Sequence, residues 1–275
     1  MKITILGSGT STGVPMVGCG CRVCRSDDPR DNRTRCSILV ETADRHILVD
    51  TSTDLRQQAI RHRLPRIDAV LFTHPHADHV HGIDDLRGFH FIHKEIVPCF
   101  GSRETMTALT RNFSYIFKGM ESEGYAPLLE AHIISQPFPL FGKTIIPIPL
   151  DHGSSKATGY RIDNFAYLSD CSGIPATSSE LLDGLEILVI DALRYTPHIT
   201  HFNIEAALRT VEELKPLRAI FTHLTHEVSC TDEERLPEGV ELAYDGMELK
   251  TGEDAPVPGK RNGRTCHNPV QNRME

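Results

Sequence analysis

A chain of 275 residues, 39% hydrophobic and 24% charged, has the make-up of a soluble globular protein of one large or two small domains. Its formal charge of −8, from 29 Lys and Arg against 37 Asp and Glu, argues against sequence-independent binding to long nucleic acids. No apolar run approaches the roughly 18 residues of a membrane span, and Met1 to Gly7 is too short for a signal-peptide core, so the expected location is the cytoplasm.

In chain order, Lys2 to Leu6 reads as a strand ending in a flexible polar turn, Gly7 to Gly13. That turn lacks the Gly-Lys-Ser/Thr ending of a nucleotide-phosphate loop. Cys19-Gly20-Cys21-Arg22-Val23-Cys24 follows. In a chain without a secretion signal, this cluster reads as metal-binding before it reads as disulfides. The other five cysteines are scattered and read as free thiols. Ser37 to Thr42 and His46 to Asp50 are expected strands. Thr53 to Leu64 is an expected helix with Leu55, Ala59 and Ile60 on one face.

The strand Ile67 to Thr73 delivers His74-Pro75-His76-Ala77-Asp78-His79. Three imidazoles and a carboxylate within six residues suit zinc, iron or manganese, and so dense a set can feed two ions. Further on, Glu104 to Phe113 reads as a helix, Ile145 to Leu150 and Gly159 to Leu168 as strands, and Leu185 to Ile190 as a strand ending at Asp191. Asn203 is the expected cap of a helix running to Leu214. Arg218 to Thr222 is a strand ending at His223. Val240 to Tyr244 and Met247 to Lys250 flank Asp245-Gly246 as a closing hairpin. Residues 251–275 carry few apolar groups and read as a polar, flexible tail after a domain spanning 1–250. Ala69 to His74 and Arg218 to His223 echo one another, each an apolar strand delivering a histidine. The pattern suggests two β/α halves, a sandwich of two sheets with helices outside and a site where strand ends meet.

The His-x-His-x-Asp-His motif, with isolated histidines and an aspartate at later strand ends, resembles the metallo-β-lactamase superfamily over about residues 1 to 250. The resemblance implies an α+β, αββα sandwich with a dinuclear metal site. Carried over by position, His74, His76 and His152 would hold one ion. Asp78, His79 and His223 would hold the other, and Asp170 would bridge them. Manganese and zinc are both compatible with these ligands.

Within the superfamily, Cys19, Cys21 and Cys24 with His226 are similar to a structural zinc site of the phosphoribosyl cyclic phosphodiesterase (PhnP) family. Three thiolates and an imidazole make a closed tetrahedral shell. Cys230 competes with His226 for the fourth position. His201 matches a histidine that relatives place beside the leaving group, with His198 a nearby decoy and Asp191 a candidate orienting partner. His201 as general acid and Asp78 are the expected catalytic residues. The resemblance implies a metal-dependent phosphodiesterase that uses hydroxide held by two ions on a small diester, of a cyclic sugar or nucleotide type. It also implies a homodimer. Competing expectations are a transfer-RNA 3′-processing endonuclease, a thioester or lactam hydrolase of the same fold, a diiron oxygen-reducing protein and a non-enzymatic metal scaffold. Arg87 is a candidate phosphate contact or a structural ion pair.

Overall fold

The computed structural model describes residues 1–118 and 128–252. The first of two sheets contains β1 (Lys2–Gly7), β2 (Ser37–Thr42), β3 (Arg45–Val49), β4 (Ala69–Leu71), β5 (Val97–Gly101) and β6 (Leu129–Ile133). The second contains β7 (Phe138–Leu140), β8 (Lys143–His152), β9 (Ser155–Ile162), β10 (Phe165–Leu168), β11 (Ile187–Asp191), β12 (Arg218–Thr222) and β13 (Val240–Leu242). The last strand, β14 (Glu248–Lys250), returns to the first sheet beside β1. β3 to β6 run parallel in one sheet, and β10 to β13 run parallel in the other.

Alternation along the strands builds three apolar layers, because successive side chains point to opposite faces. Ile38 and Val40 of β2 face the second sheet, where they share a core with Ile187 and Val189 of β11. Their neighbours Leu39, and Leu188 with Ile190, turn outward to helices. Outside the first sheet lie α1 (Leu55–Arg61), α2 (Ala77–Val80), α3 (Leu86–His93), α4 (Arg103–Asn112) and α5 (Ser114–Phe117). α6 (Ala176–Ser179) and α7 (Ile204–Leu214) cover the second. The architecture is an αββα sandwich, as the sequence implies. α7 begins as expected, with the Asn203 side chain accepting from the Ala206 amide at 3.0 Å.

Several expectations change. The helix expected from Thr53 to Leu64 is shorter, Leu55–Arg61, and its buried face is Leu55 and Gln58 rather than Leu55, Ala59 and Ile60. Ile60 is exposed, whereas the Gln58 amide donates to Thr34 Oγ1 and Arg35 O and accepts from Ser52 Oγ. The helix docks through hydrogen bonds that an apolar pattern does not register. The strand expected over Gly159 to Leu168 is two antiparallel strands, β9 and β10, turned at Asp163 with φ of 52°. The turn after β1 is not loose: Ser8, Gly9 and Thr10 are buried, with Gly9 bridged to Arg35 and Leu224. Residues 253–275, most of the expected tail, lie outside the described residues.

The closing hairpin is also replaced. β13 pairs with β12 and β14 with β1, so Asp245-Gly246 carries the chain from one sheet to the other. The buried Asp245 carboxylate makes that crossing. It accepts from the amides of Ser8 and Thr34 at 3.0 and 2.8 Å, and from their hydroxyls at 2.8 and 2.6 Å. Asp245→Ala strands these donors in a dry seam and is expected to cost about 2–4 kcal/mol. Urea unfolding should show a lower midpoint at unchanged slope; an unchanged midpoint would mean that the seam is held by packing alone.

Candidate active site

The carboxyl ends of the central strands converge on one edge of the sandwich. β3 delivers Asp50, β4 delivers the His74 to His79 segment, β10 delivers Asp170, β11 ends at Asp191 and β12 delivers His223. Asp50, Asp170 and His223 adopt left-handed backbone with φ of 63°, 58° and 59°. Such conformations cost non-glycine residues and persist where the surroundings enforce them. Here they occur where each strand stops and its side chain meets the others.

Two donor sets form. Nε2 of His74 lies 2.9 Å from Nδ1 of His76, which lies 3.4 Å from Nε2 of His152. In the second set, Nε2 of His79 and of His223 lie 3.4 and 3.6 Å from Asp78 Oδ2. Asp170 stands between the sets. Its Oδ2 is 3.6 Å from His74, and its Oδ1 is 3.1 Å from His79 and 3.3 Å from His223. Thus all seven residues expected at the dinuclear site come together.

The donors fit a metal ion on chemical grounds. Metal–nitrogen bonds of 2.0–2.1 Å place neighbouring ligands about 2.9–3.4 Å apart. Nε2 of His79 and both ring nitrogens of His223 are buried without a hydrogen-bond partner, an arrangement that costs free energy unless something binds there. Charge points the same way. Burial opposes ionisation of Asp170, yet His223, His79 and His74 hold its carboxyl well below the usual range. Burial also disfavours a charged His223, but Asp170 and Asp78 raise it to about 8. The pocket is built to hold positive charge.

The ligand orientations are fixed from behind. His79 Nδ1 lies 2.7 Å from Asp50 Oδ2, and Asp50 is itself held by the amide and hydroxyl of Thr73, both at 2.8 Å. His152 Nδ1 donates to the Thr200 carbonyl at 2.8 Å. Such outer partners set the tautomer of a ligand histidine. Asp50 lies outside the expected site residues; its signal in the sequence is a carboxylate at the end of a β strand, like Asp191.

His201 Nδ1 lies 2.7 Å from Asp191 Oδ2, leaving Nε2 as the ring's remaining nitrogen. Its ring stacks on His223 at 4.8 Å between centroids and meets His152 edge-on at 4.9 Å. His201 lines a cavity of about 250 Å³ with members of both donor sets and with Ser11, Ser154, Ser155 and Thr200. His198 lies beside His201, with ring centroids 5.2 Å apart, and shares with it a neighbouring cavity of about 410 Å³, but it pairs with Thr200 Oγ1 and does not line the cavity that holds the donor sets. Arg87 is an ion-pair residue, 3.4 Å from Asp84 and stacked over Phe91, away from the site cavity.

The cysteine cluster closes on His226. Sγ of Cys19 and of Cys21 each lie 3.3 Å from His226 Nδ1, and Cys24 completes the group. A hydrogen bond from the Cys24 amide, followed by His226, lowers the Cys21 thiol to about 6, which favours the ligating thiolate. Cys230 lies outside the group; burial, then Asp28, pushes its thiol up to about 12. The buried Arg33 donates to the carbonyl of Val228 at 2.7 Å and pairs with Asp31, tying down the loop that carries His226.

A family model described as a β-lactamase superfamily domain matches residues 45–224. A crystal structure of a new diphosphatase from the PhnP family is 40% identical, with a TM-score of 0.85, covering 91% of this chain and 98% of that one. The octanoyltransferase of Porphyromonas gingivalis is 39% identical over 254 residues, which is 90% of this chain and 51% of that protein. The chain spans about half the length of that curated relative and 32% of a coenzyme PQQ synthesis protein B from Rhodopseudomonas palustris. Zinc-bound PqqB of Methylobacterium extorquens shares the fold at 22% identity, with a TM-score of 0.75 over 91% of this chain and 100% of that one. No helix among the described residues is long and apolar enough to cross a membrane. The chain belongs to the metallo-β-lactamase superfamily, and it resembles the PhnP family within it.

Proposed function

We propose that this member of a superfamily of metal-dependent hydrolases cleaves small phosphodiesters, of a cyclic sugar or nucleotide type. The observation that carries the reading is His201, held by Asp191 and lining the same small cavity as both donor sets. A thioester's thiolate leaves without such a group, whereas an alcohol leaving phosphorus departs as a strong base and needs a proton. A lactam nitrogen needs one too, and the likeness to the PhnP family favours the phosphorus ester over the lactam. Two divalent cations, held by His74, His76 and His152 and by Asp78, His79 and His223 with Asp170 between them, would supply Lewis acidity and acidify water.

The chain's own residues do the rest. His201 Nε2 gives its proton to the leaving oxygen as the P–O bond breaks. Asp191 keeps Nδ1 protonated and compensates the ring's charge. Asp50 and the Thr200 carbonyl hold His79 and His152 in register. Among the described residues the cavity lining includes no Lys or Arg, so it is the cations that would meet the phosphate's charge. The single test is a hydrolysis screen of linear and cyclic phosphodiesters with manganese and with zinc.

One observation favours a second reading. A relative 40% identical to this chain is described as a diphosphatase. Diphosphate diesters therefore belong in the same screen; their leaving group is already a weak base, and their cleavage should depend less on His201. The transfer-RNA processing reading has fold likeness alone, to the short form of human tRNase Z at 17% identity with a TM-score of 0.67.

Cys19, Cys21, Cys24 and His226 are proposed to hold a zinc ion that supports structure. Cys21→Ser is expected to remove one zinc per chain and lower the melting temperature, while the histidine-rich site keeps its ions. Metal analysis of the purified variant checks this; a full complement of zinc would assign the cluster as free thiols.

A further inference from the structure

We propose that Thr200 is a positioning residue for His201, and that its place is set by contact with Gly153. The proposal rests on the general-acid reading of His201. Gly153 opens the turn between β8 and β9, next to His152, with φ of +62°, and a Cβ placed on it would lie 2.6 Å from Thr200 Cγ2. Carbon atoms in good contact sit about 3.5–4.0 Å apart. The missing side chain is therefore what lets the 196–200 loop lie against the hairpin.

Neither side of the contact slides freely. The Gly153 amide donates to Ser172 Oγ at 2.9 Å, and Ser172 is bound in turn to the Asp151 carbonyl. Thr200 cannot rotate its methyl away without breaking the 3.1 Å contact of its hydroxyl with His198 Nδ1. Beyond His201 the chain is pinned, with the Phe202 amide donating to the Cys171 carbonyl at 2.7 Å. Residues 196–199 are exposed and are the part able to yield.

Thr200 is also the point where the two halves of the chemistry meet. Its carbonyl receives His152 Nδ1, so one residue aligns a metal-donor ring behind it and the acid His201 after it. Displacing the loop by roughly the 1 Å that Gly153→Ala demands moves His201 off the leaving oxygen, and a misplacement of that size costs about 10²-fold.

The test uses Gly153→Ala, Thr200→Ser, the double variant and Thr200→Gly. Gly153→Ala should lower kcat about 100-fold on diesters with alkyl leaving groups. It should lower turnover of p-nitrophenyl diesters much less, because their leaving anion departs without a proton and only the hold of the Thr200 carbonyl on His152 is then disturbed. Thr200→Ser removes the clashing methyl and keeps the hydroxyl, so the double variant should recover kcat. It should retain the melting-temperature loss from a left-handed alanine, because that strain is independent of Thr200. Thr200→Gly, which removes the packing without straining the hairpin, should show the same leaving-group split. Hydrogen exchange over residues 196–201 should be faster in Gly153→Ala and return to wild type in the double variant, whatever the substrate proves to be. Equal losses on both substrate types, a double variant no better than Gly153→Ala, or unchanged exchange in Gly153→Ala would each overturn the proposal. Wild-type protein inert toward every diester would instead remove the phosphodiesterase reading and leave the exchange result to judge the contact.

Discussion

His201→Ala should lower turnover of alkyl phosphodiesters by roughly 10²–10⁴-fold, the usual contribution of a positioned general acid, with metal content unchanged. The ring is bound to Asp191 and stacked on His223, but it is not one of the six donors grouped around Asp170. Removing it therefore takes away a proton source and leaves the cation-binding groups in place. The loss should shrink when the leaving group is p-nitrophenolate, because that anion needs no proton. A variant with full activity toward alkyl diesters would end the general-acid assignment. A variant equally impaired on both leaving groups would make His201 a binding residue.

Asp170→Ala is expected to have the larger effect. Its two oxygens face different donor sets, and although burial disfavours charged rings there, its own charge holds His79 and His223 above the usual imidazole range. Loss of an outer-shell partner at a metal site typically costs about 10–100-fold in affinity or activity. Asp170 touches both sets directly, so metal content at the histidine-rich site should fall below one ion per chain and turnover should fall further than that. Asp170→Asn, with nearly the same shape and no charge, should fail in the same way if charge is the decisive property. Retention of two ions by either variant, measured by elemental analysis after desalting, would show that the two donor sets act independently.

Part of the histidine-rich site is legible in the residues themselves, while His152 and Asp170 are implied by the superfamily resemblance. Four of its donors fall within His74 to His79, and His223 ends a strand that echoes the one before His74. The cluster of Cys19, Cys21 and Cys24 is likewise legible from residue type, whereas His226 as its fourth member is implied only by the family resemblance, with Cys230 left open. What escaped was chemistry behind the first layer. Asp50 looks like any residue ending a strand until the fold places it 2.7 Å from His79. Thr200 contributes a backbone carbonyl, which side-chain identity does not encode.

In the fold, long-range pairing was the obstacle. Asp245-Gly246 has the composition of a tight hairpin turn, yet β14 pairs with β1 at the other end of the chain. The Asp245 carboxylate binds Ser8 and Thr34, so the local turn signal was overruled by four hydrogen bonds to distant residues. Gln58 is silent in the sequence for a similar reason, since a buried amide contributes nothing to apolar periodicity.

The central claim is tested most directly by incubating the wild-type protein, loaded with manganese or with zinc, with a panel of linear phosphodiesters, cyclic phosphodiesters and diphosphate diesters beside a thioester and a lactam. Hydrolysis of a linear or cyclic phosphodiester to a phosphomonoester, by protein carrying two ions at the histidine-rich site, is the predicted result. The same two-ion protein, inert toward every phosphorus ester but active on the thioester or lactam, would contradict it.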